Sequence, residues 1–336
     1  MPITIFSTCP PYHGSDSAAY TDSVRQISRW SEKAGCKGIL VYTDNGILDP
    51  WLVSQTIIES TSSLSPLVAV QPMYMHPYTV AKMVSTLSYL HHRQICLNMV
   101  AGGFANDLAA LGDSTPHDKR YERLVEYSSI ILRLLSGETT TYAGEFYRIG
   151  ACTLKPPLDG KLFPLVTISG SSGAGLAAAE KIGAVAVEYP EPPETCTRRV
   201  RHGAWGIRVG IIARADEDEA WHFAYERFPP DRAGQITHKL AMKTSDSVWH
   251  DKLSALGKES VRKTYWLLPF ENYKTFCPYF VGAYEQVAQE IDRYISAGCK
   301  TFILDVPASP TELEHIGRVF TQARNKAASP THEATA

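Results

Sequence analysis

The chain has 336 residues, 44% apolar and 20% charged, enough to bury a large core as one big α/β domain or two smaller ones. A formal net charge of −2 at pH 7 excludes a global field that would draw it to nucleic acid or a membrane surface. The one basic cluster, Arg198 to His202, is too short to change that and reads as a solvated helix face.

Along the chain, short Val/Ile-rich runs alternate with helical periodicity. The run Thr4–Thr8 precedes a helix near Tyr20–Ala34. Gly38–Thr43 precedes "PWLVSQTIIEST", where Pro50 suits the first turn of a helix. Leu67–Pro72 precedes "YTVAKMVSTLSYLHH", and Ile95–Val100 leads through a loop to "DKRYERLVEYSSIILRLLSG", with Gly137 placed to stop that helix. An excursion, "TYAGEFYRIGACTLKPPL", reads as a hairpin plus loop. The alternation then resumes with "LVTIS", Ala184–Tyr189, Gly206–Ala213 and Thr301–Val306.

These make eight strands without clean polar alternation, the pattern of a parallel sheet buried on both faces. They predict a (β/α)8 TIM barrel with insertions, which needs about 250 residues; a doubly wound open sheet is the alternative. Residues 1–326 read as one barrel domain, residues 229–280 as a loop-like aromatic insertion that forms a lid, and residues 327–336 as a disordered tail. No apolar run has the roughly 20 residues of a membrane span, and the N-terminus "MPITIFSTCPP" lacks signal-peptide regions. Seven cysteines without CxxC spacing suit buried thiols in a reducing cytoplasm and no metal site.

Two stretches carry chemistry. In "LVTISGSSGAGLAAAEKIG" a strand breaks into glycine and serine before a helix begins. The glycines at 170, 173 and 175 lack dinucleotide-fingerprint spacing, and no Gly-Lys-Ser/Thr of a P-loop follows. Free N–H groups at a helix start, with the hydroxyls of Ser171 and Ser172 beside them, suit a phosphate. A tight turn with Ser172 as N-cap is the other reading. In "LNMVAGGF" a strand ends in small residues that let a flat ligand approach the backbone. Beyond it, His117 and Tyr121 stand four apart on one helix face, where they reach an anion or ring edge, or merely form an amphipathic edge.

Together, "LVAVQP…VAKMVSTLSYL", "LNMVAGG…HDKRYE", "ISGSS…AAE…EPPE" and "GIRVGIIAR…DEDEAW" resemble the bacterial-luciferase-like flavin monooxygenases, most closely the FMNH2-dependent alkanesulfonate monooxygenases. The resemblance runs from about His13 to Arg318. It implies a (β/α)8 barrel with reduced FMN in its C-terminal mouth, supplied by a separate NAD(P)H-dependent flavin reductase. O2 as cosubstrate would then form a flavin C4a-(hydro)peroxide that oxygenates a small organic substrate. It also implies a homodimer or homotetramer. Asn98, Ala101, His117, Tyr121 and Tyr189 match positions around the flavin, Ser171 and Ser172 its phosphate turn, and His13 and Arg208 polar catalytic positions. A guanidinium in a barrel strand needs an anionic or hydrogen-bonding partner, and His13 follows the first strand, where barrel catalytic loops lie.

Several positions depart from the sulfonate enzymes. Ile47 stands where they carry cysteine, Gly210 where they carry histidine, Pro307 where they carry tyrosine and Gln71 where they carry arginine. Lys274 is the nearest cation in the mobile-loop segment. A pocket with fewer cations binds a sulfonate poorly, so the expected substrate is less anionic and larger or more apolar than a simple alkanesulfonate. Two other functions fit the same barrel: a deazaflavin-dependent oxidoreductase, and a flavin-binding homologue without catalysis.

Overall fold

The computed structural model describes residues 3–192, 203–242 and 264–328. The basic cluster Arg198 to His202, part of the expected lid (residues 243–263) and the tail from residue 329 lie outside the described residues.

The chain opens with β1 (Thr4–Thr8), α1 (Ser17–Lys33), β2 (Gly38–Val41), α2 (Pro50–Ser60), β3 (Ser65–Val70), α3 (Pro77–His91) and β4 (Cys96–Met99). A short α4 (Ala105–Ala110) and the long α5 (His117–Leu135) follow. The hairpin β5 (Thr140–Ala143) and β6 (Arg148–Cys152) then lies outside the barrel. The alternation returns with β7 (Val166–Ser169), α6 (Gly173–Ile182), β8 (Val185–Glu188), β9 (Trp205–Arg214) and α7 (Glu217–Arg227). The C-terminal part contains α8 (Arg232–Met242), β10 (Tyr265–Trp266), α9 (Leu268–Glu271), β11 (Tyr279–Ala283), α10 (Tyr284–Ser296), β12 (Thr301–Leu304) and α11 (Pro310–Ala328).

Helix starts follow the local chemistry. Asp16 and Asp49 accept hydrogen bonds from the first-turn amides of α1 and α2, and Pro50 opens α2. At the other end, Gly137 takes a positive φ of 87° just past α5, where a left-handed residue stops the helix.

Eight parallel strands close in the order β1-β2-β3-β4-β7-β8-β9-β12, with β12 returning to β1 in the register Thr4 to Thr301. The closed barrel, and not an open sheet, is therefore the fold. Phe6, Leu40, Leu67, Cys96, Val187 and Ile303 come from six of its strands yet pack in one cluster. Only a barrel interior brings six strands together in this way, so these residues face inward. By strand alternation, the inward positions one step nearer the C-terminal rim are Thr8, Tyr42, Ala69, Asn98, Ser169, Tyr189 and Asp305. Arg208, hydrogen-bonded in register with the strand of Ile303, belongs with them. The interior thus changes from apolar at its base to polar at its mouth. Outward positions such as Ile39 and Val41 pack on α1 and α2, and Val68 and Leu97 on the α3 and α5 side.

The described parts of the insertion hold more secondary structure than its composition suggests. The helices α8 and α9 and the strands β10 and β11 stand in a stretch expected to be loop-like. β11 extends the barrel sheet by pairing in parallel with the rim half of β9, Tyr279 opposite Gly210. β9 can serve two partners because its ten residues pair with β12 only from Gly206 to Val209. Among the described residues, no helix is long and apolar enough to cross a membrane.

Candidate active site

The polar mouth is built around three groups. The first is the turn between β7 and α6. Ser172 is the N-cap of α6, its hydroxyl accepting from the Gly175 amide at 3.1 Å. The Tyr121 hydroxyl hydrogen-bonds the same serine, and burial raises the Tyr121 phenol above its ordinary range while that bond opposes the rise. Gly170 has a positive φ of 159° and no room for a side chain: an added Cβ would sit 2.5 Å from the Tyr121 hydroxyl. The Ser171 hydroxyl is buried and has no hydrogen-bond partner among the described residues. A buried hydroxyl left unpaired costs about 1–3 kcal/mol. It stands beside the first amides of a helix, the arrangement that suits an acceptor-rich group.

The two serines of this turn differ: Ser172 is the N-cap, and the Ser171 hydroxyl makes no hydrogen bond among the described residues. The helical spacing of His117 and Tyr121 does bring their rings together, with centroids 5.2 Å apart, and the His117 Nδ1 lies 2.7 Å from Asp118 Oδ1.

The second group lines the β4 side. Asn98 is buried, its Oδ1 accepting from Thr167 at 2.7 Å and Ser169 at 2.9 Å. Ala101, just past the strand, is buried in the main core cluster with Tyr121. Gly102 takes a φ of 112°, a conformation that favours glycine, and a Cβ there would lie 3.0 Å from the Leu108 side chain.

The third group is Arg208, 7% exposed in mid-strand. Its Nη1 donates to the Tyr189 hydroxyl at 3.3 Å, and its guanidinium carbon stands 4.8 Å over the Tyr42 ring and 5.8 Å from that of Tyr189. Asp305 Oδ1 lies 3.8 Å from Nη2, too long for a hydrogen bond, while Asp305 Oδ2 accepts from the Tyr279 hydroxyl at 2.7 Å. Burial, and then the nearby Asp305 carboxylate, push the Tyr279 phenol well above its ordinary range, so it remains a donor. Gly210 explains how Tyr279 fits: a Cβ there would lie 2.2 Å from the phenol ring. The position read as a lost polar group is thus the seat of a different one.

His13 is exposed in the loop after β1, and no hydrogen bond joins it to the other candidates among the described residues. Beside the mouth, at the ends of β2 and β3, lies a cleft of about 240 Å3 lined by Ile47, Trp51, Ala69, Gln71, Tyr74 and Met75. Of the insertion's aromatics, Phe276 reaches the mouth, packing edge-on against Tyr42 with centroids 6.5 Å apart. Tyr265, Phe270 and Phe280 are core. Asp305 and Tyr279 escaped motif reading because neither belongs to a motif; strand alternation in "TFILDV" would have turned Asp305 inward once Ile303 was known to face the interior.

Comparisons with known proteins agree with this architecture. The family described as luciferase-like monooxygenase matches residues 1–301. A relative from Niallia circulans, 4-(gamma-L-glutamylamino)butanoyl-[BtrI acyl-carrier protein] monooxygenase BtrO, is 34% identical over 318 residues, covering 91% of this chain and 93% of its own. Two solved structures share the fold. EDTA monooxygenase EmoA from Chelativorans sp. BNC1 is 15% identical with a TM-score of 0.74, covering 98% of this chain and 95% of its own. Riboflavin lyase RcaE, solved with modified FMN and riboflavin, is 16% identical with a TM-score of 0.73, covering 99% and 94%. Other barrels of the same shape are F420-dependent. The barrel, its polar mouth and these matches lead to one assignment: the chain is an enzyme of the luciferase-like monooxygenase family.

Proposed function

We propose that this enzyme is the oxygenating component of a two-component system, using reduced FMN and O2 to add one oxygen atom to an acyl chain carried on a carrier protein. The observation that carries the flavin half is the Ser171 hydroxyl just before α6, buried and without a hydrogen-bond partner among the described residues. The acyl half rests on the likeness to BtrO, whose name gives an acyl-carrier-protein substrate. The cleft of Ile47, Trp51 and Met75 suits a partly apolar chain.

Reduced FMN, when bound, supplies the electron pair that activates O2; one oxygen atom enters the substrate and the other leaves as water. The protein's residues bind, orient and exclude solvent. Ser171 and the first amides of α6 hold the phosphate, with Tyr121 packing the turn from behind. Asn98, Ala101, His117 and Tyr189 would surround the flavin. Phe276 and Tyr42 keep water from the mouth, which favours oxygen transfer over wasteful release of H2O2. A flavin reductase supplies the reduced cofactor from solution.

The test is mass spectrometry of acyl-pantetheine and acyl-carrier substrates incubated with the enzyme, FMNH2 and O2. The expected product gains one oxygen atom, and none forms without O2. Turnover under strict anaerobiosis with a reduced deazaflavin would support the hydride-transfer reading instead. Flavin binding with no product from any substrate would support a non-catalytic homologue.

A further inference from the structure

Arg208 keeps two of its guanidinium nitrogens out of hydrogen bonds among the described residues. Its Nη1 is bound to Tyr189, but neither Nε nor Nη2 has a hydrogen-bond partner among the described residues. These two nitrogens form the side of the guanidinium that matches two acceptor oxygens at once. A buried cation with no hydrogen bond along one edge recovers little of its desolvation cost. Asp305 mirrors the situation. Its Oδ2 is held by Tyr279, while its Oδ1 accepts no hydrogen bond among the described residues and lies 3.8 Å from Arg208 Nη2. Nη2 and Oδ1 thus form an ion pair at 3.8 Å that no hydrogen bond closes, and Nε beside it has no hydrogen-bond partner among the described residues.

Depth argues which end of a substrate meets them. A carried acyl chain enters tail first, because the carrier protein is too large to follow it. Arg208 sits two residues below the rim position Gly210, and is met by Tyr42, Tyr189 and Asp305, each one residue past the end of β2, β8 or β12. The nearby Asn98 oxygen is already taken by two hydroxyls. The distal terminus of the chain is thus what reaches the Arg208–Asp305 pair.

Resting on the carrier-bound acyl reading above, we infer that Arg208 and Asp305 form a subsite for an α-amino-acid terminus at the far end of the acyl chain. The terminal carboxylate takes the Nε/Nη2 edge of Arg208, and the terminal ammonium takes Oδ1 of Asp305 beside the Tyr42 and Tyr189 rings. Tyr279, seated on Gly210, holds the carboxylate of Asp305 in place. The same pair disfavours a bare sulfonate, which would bring a second negative charge to Asp305 with no cation of its own.

The experiment is calorimetry of the FMN-loaded full chain with three non-reactive pantetheine amides. One carries 4-(γ-L-glutamylamino)butanoyl, the second lacks only its amino group, and the third lacks both amino and terminal carboxyl groups. Wild type should lose about tenfold or more in affinity at each step, the scale of one charge-assisted hydrogen bond. Asp305→Asn should erase the first step and leave the second, and Arg208→Gln should erase the second. Equal wild-type affinity for all three probes, or no binding of any, would overturn the subsite, as would variants that weaken all three probes alike. Should Arg208→Gln fail to fold, the wild-type series and Asp305→Asn still decide. A graded series with no oxygenation of any carried substrate would sink the carrier-bound oxygenase reading and leave the subsite standing.

Discussion

At the scale of single residues, the two adjacent serines separate structure from binding. Ser172 caps α6, so Ser172→Ala should cost about 1 kcal/mol of stability by urea melting. Ser171 makes no hydrogen bond among the described residues, so Ser171→Ala should preserve or raise stability while weakening reduced FMN several-fold or more in anaerobic fluorescence titration. Unchanged affinity would make the turn only a turn. Gly210 is a residue decided by its neighbour. Because its missing Cβ is the space of the Tyr279 ring, Gly210→Ala should destabilise by about 1–3 kcal/mol through overpacking. Combining it with Tyr279→Ala should recover part of that loss, a coupling that denaturant melts of the double mutant would measure.

At the scale of elements, the loop before α5 is tied down electrostatically. Asp113 and Arg123 form a buried pair at 2.6 Å, and Thr115 adds a hydrogen bond to the same carboxylate. Burial by itself would raise the Asp113 carboxyl, but the hydrogen bonds from Arg123 and Thr115 outweigh it and hold it at about 2. A carboxylate depressed in the folded state adds stability that is fully present above its unfolded value near 4 and is lost as pH falls towards 2. The acid melting curve of Asp113→Asn should therefore be flatter than wild type between pH 4 and 2. At neutral pH the variant should be about 3 kcal/mol less stable, since Arg123 is left buried without its partner. Since this loop leads into His117 and Tyr121, the same substitution should also weaken FMN. The bidentate pair of Arg214 with Glu312 plays a similar part between β9 and α11.

At the scale of the whole molecule, the cofactor should act as a brace across the mouth. The candidate groups come from β4, the β7–α6 turn, β8 and α5, so a ligand touching all of them binds only the closed barrel. Reduced FMN at one hundred times its dissociation constant should then stabilise the protein by about 2.7 kcal/mol. Anaerobic thermal melts should rise by several degrees, and a flat response at saturating flavin would contradict the brace.

Much of this was legible before any coordinates. Hydrophobic runs and their spacing determined eight barrel strands and their helices, because a strand buried on both faces must be apolar along its whole length. The serine–glycine turn and the spacing of His117 and Tyr121 were equally plain, being contacts between near neighbours in the chain. Strands β10 and β11 were not: Tyr279 and Phe280 look like any aromatic loop until Gly210 lies opposite. Nor was the meeting of Arg208 with Asp305, which are nearly a hundred positions apart and joined only because β9 and β12 are neighbours in a closed sheet. Local pattern settles what each segment becomes; which side chains share a charge depends on how the barrel closes, and that is decided by packing between segments that carry no mark of one another.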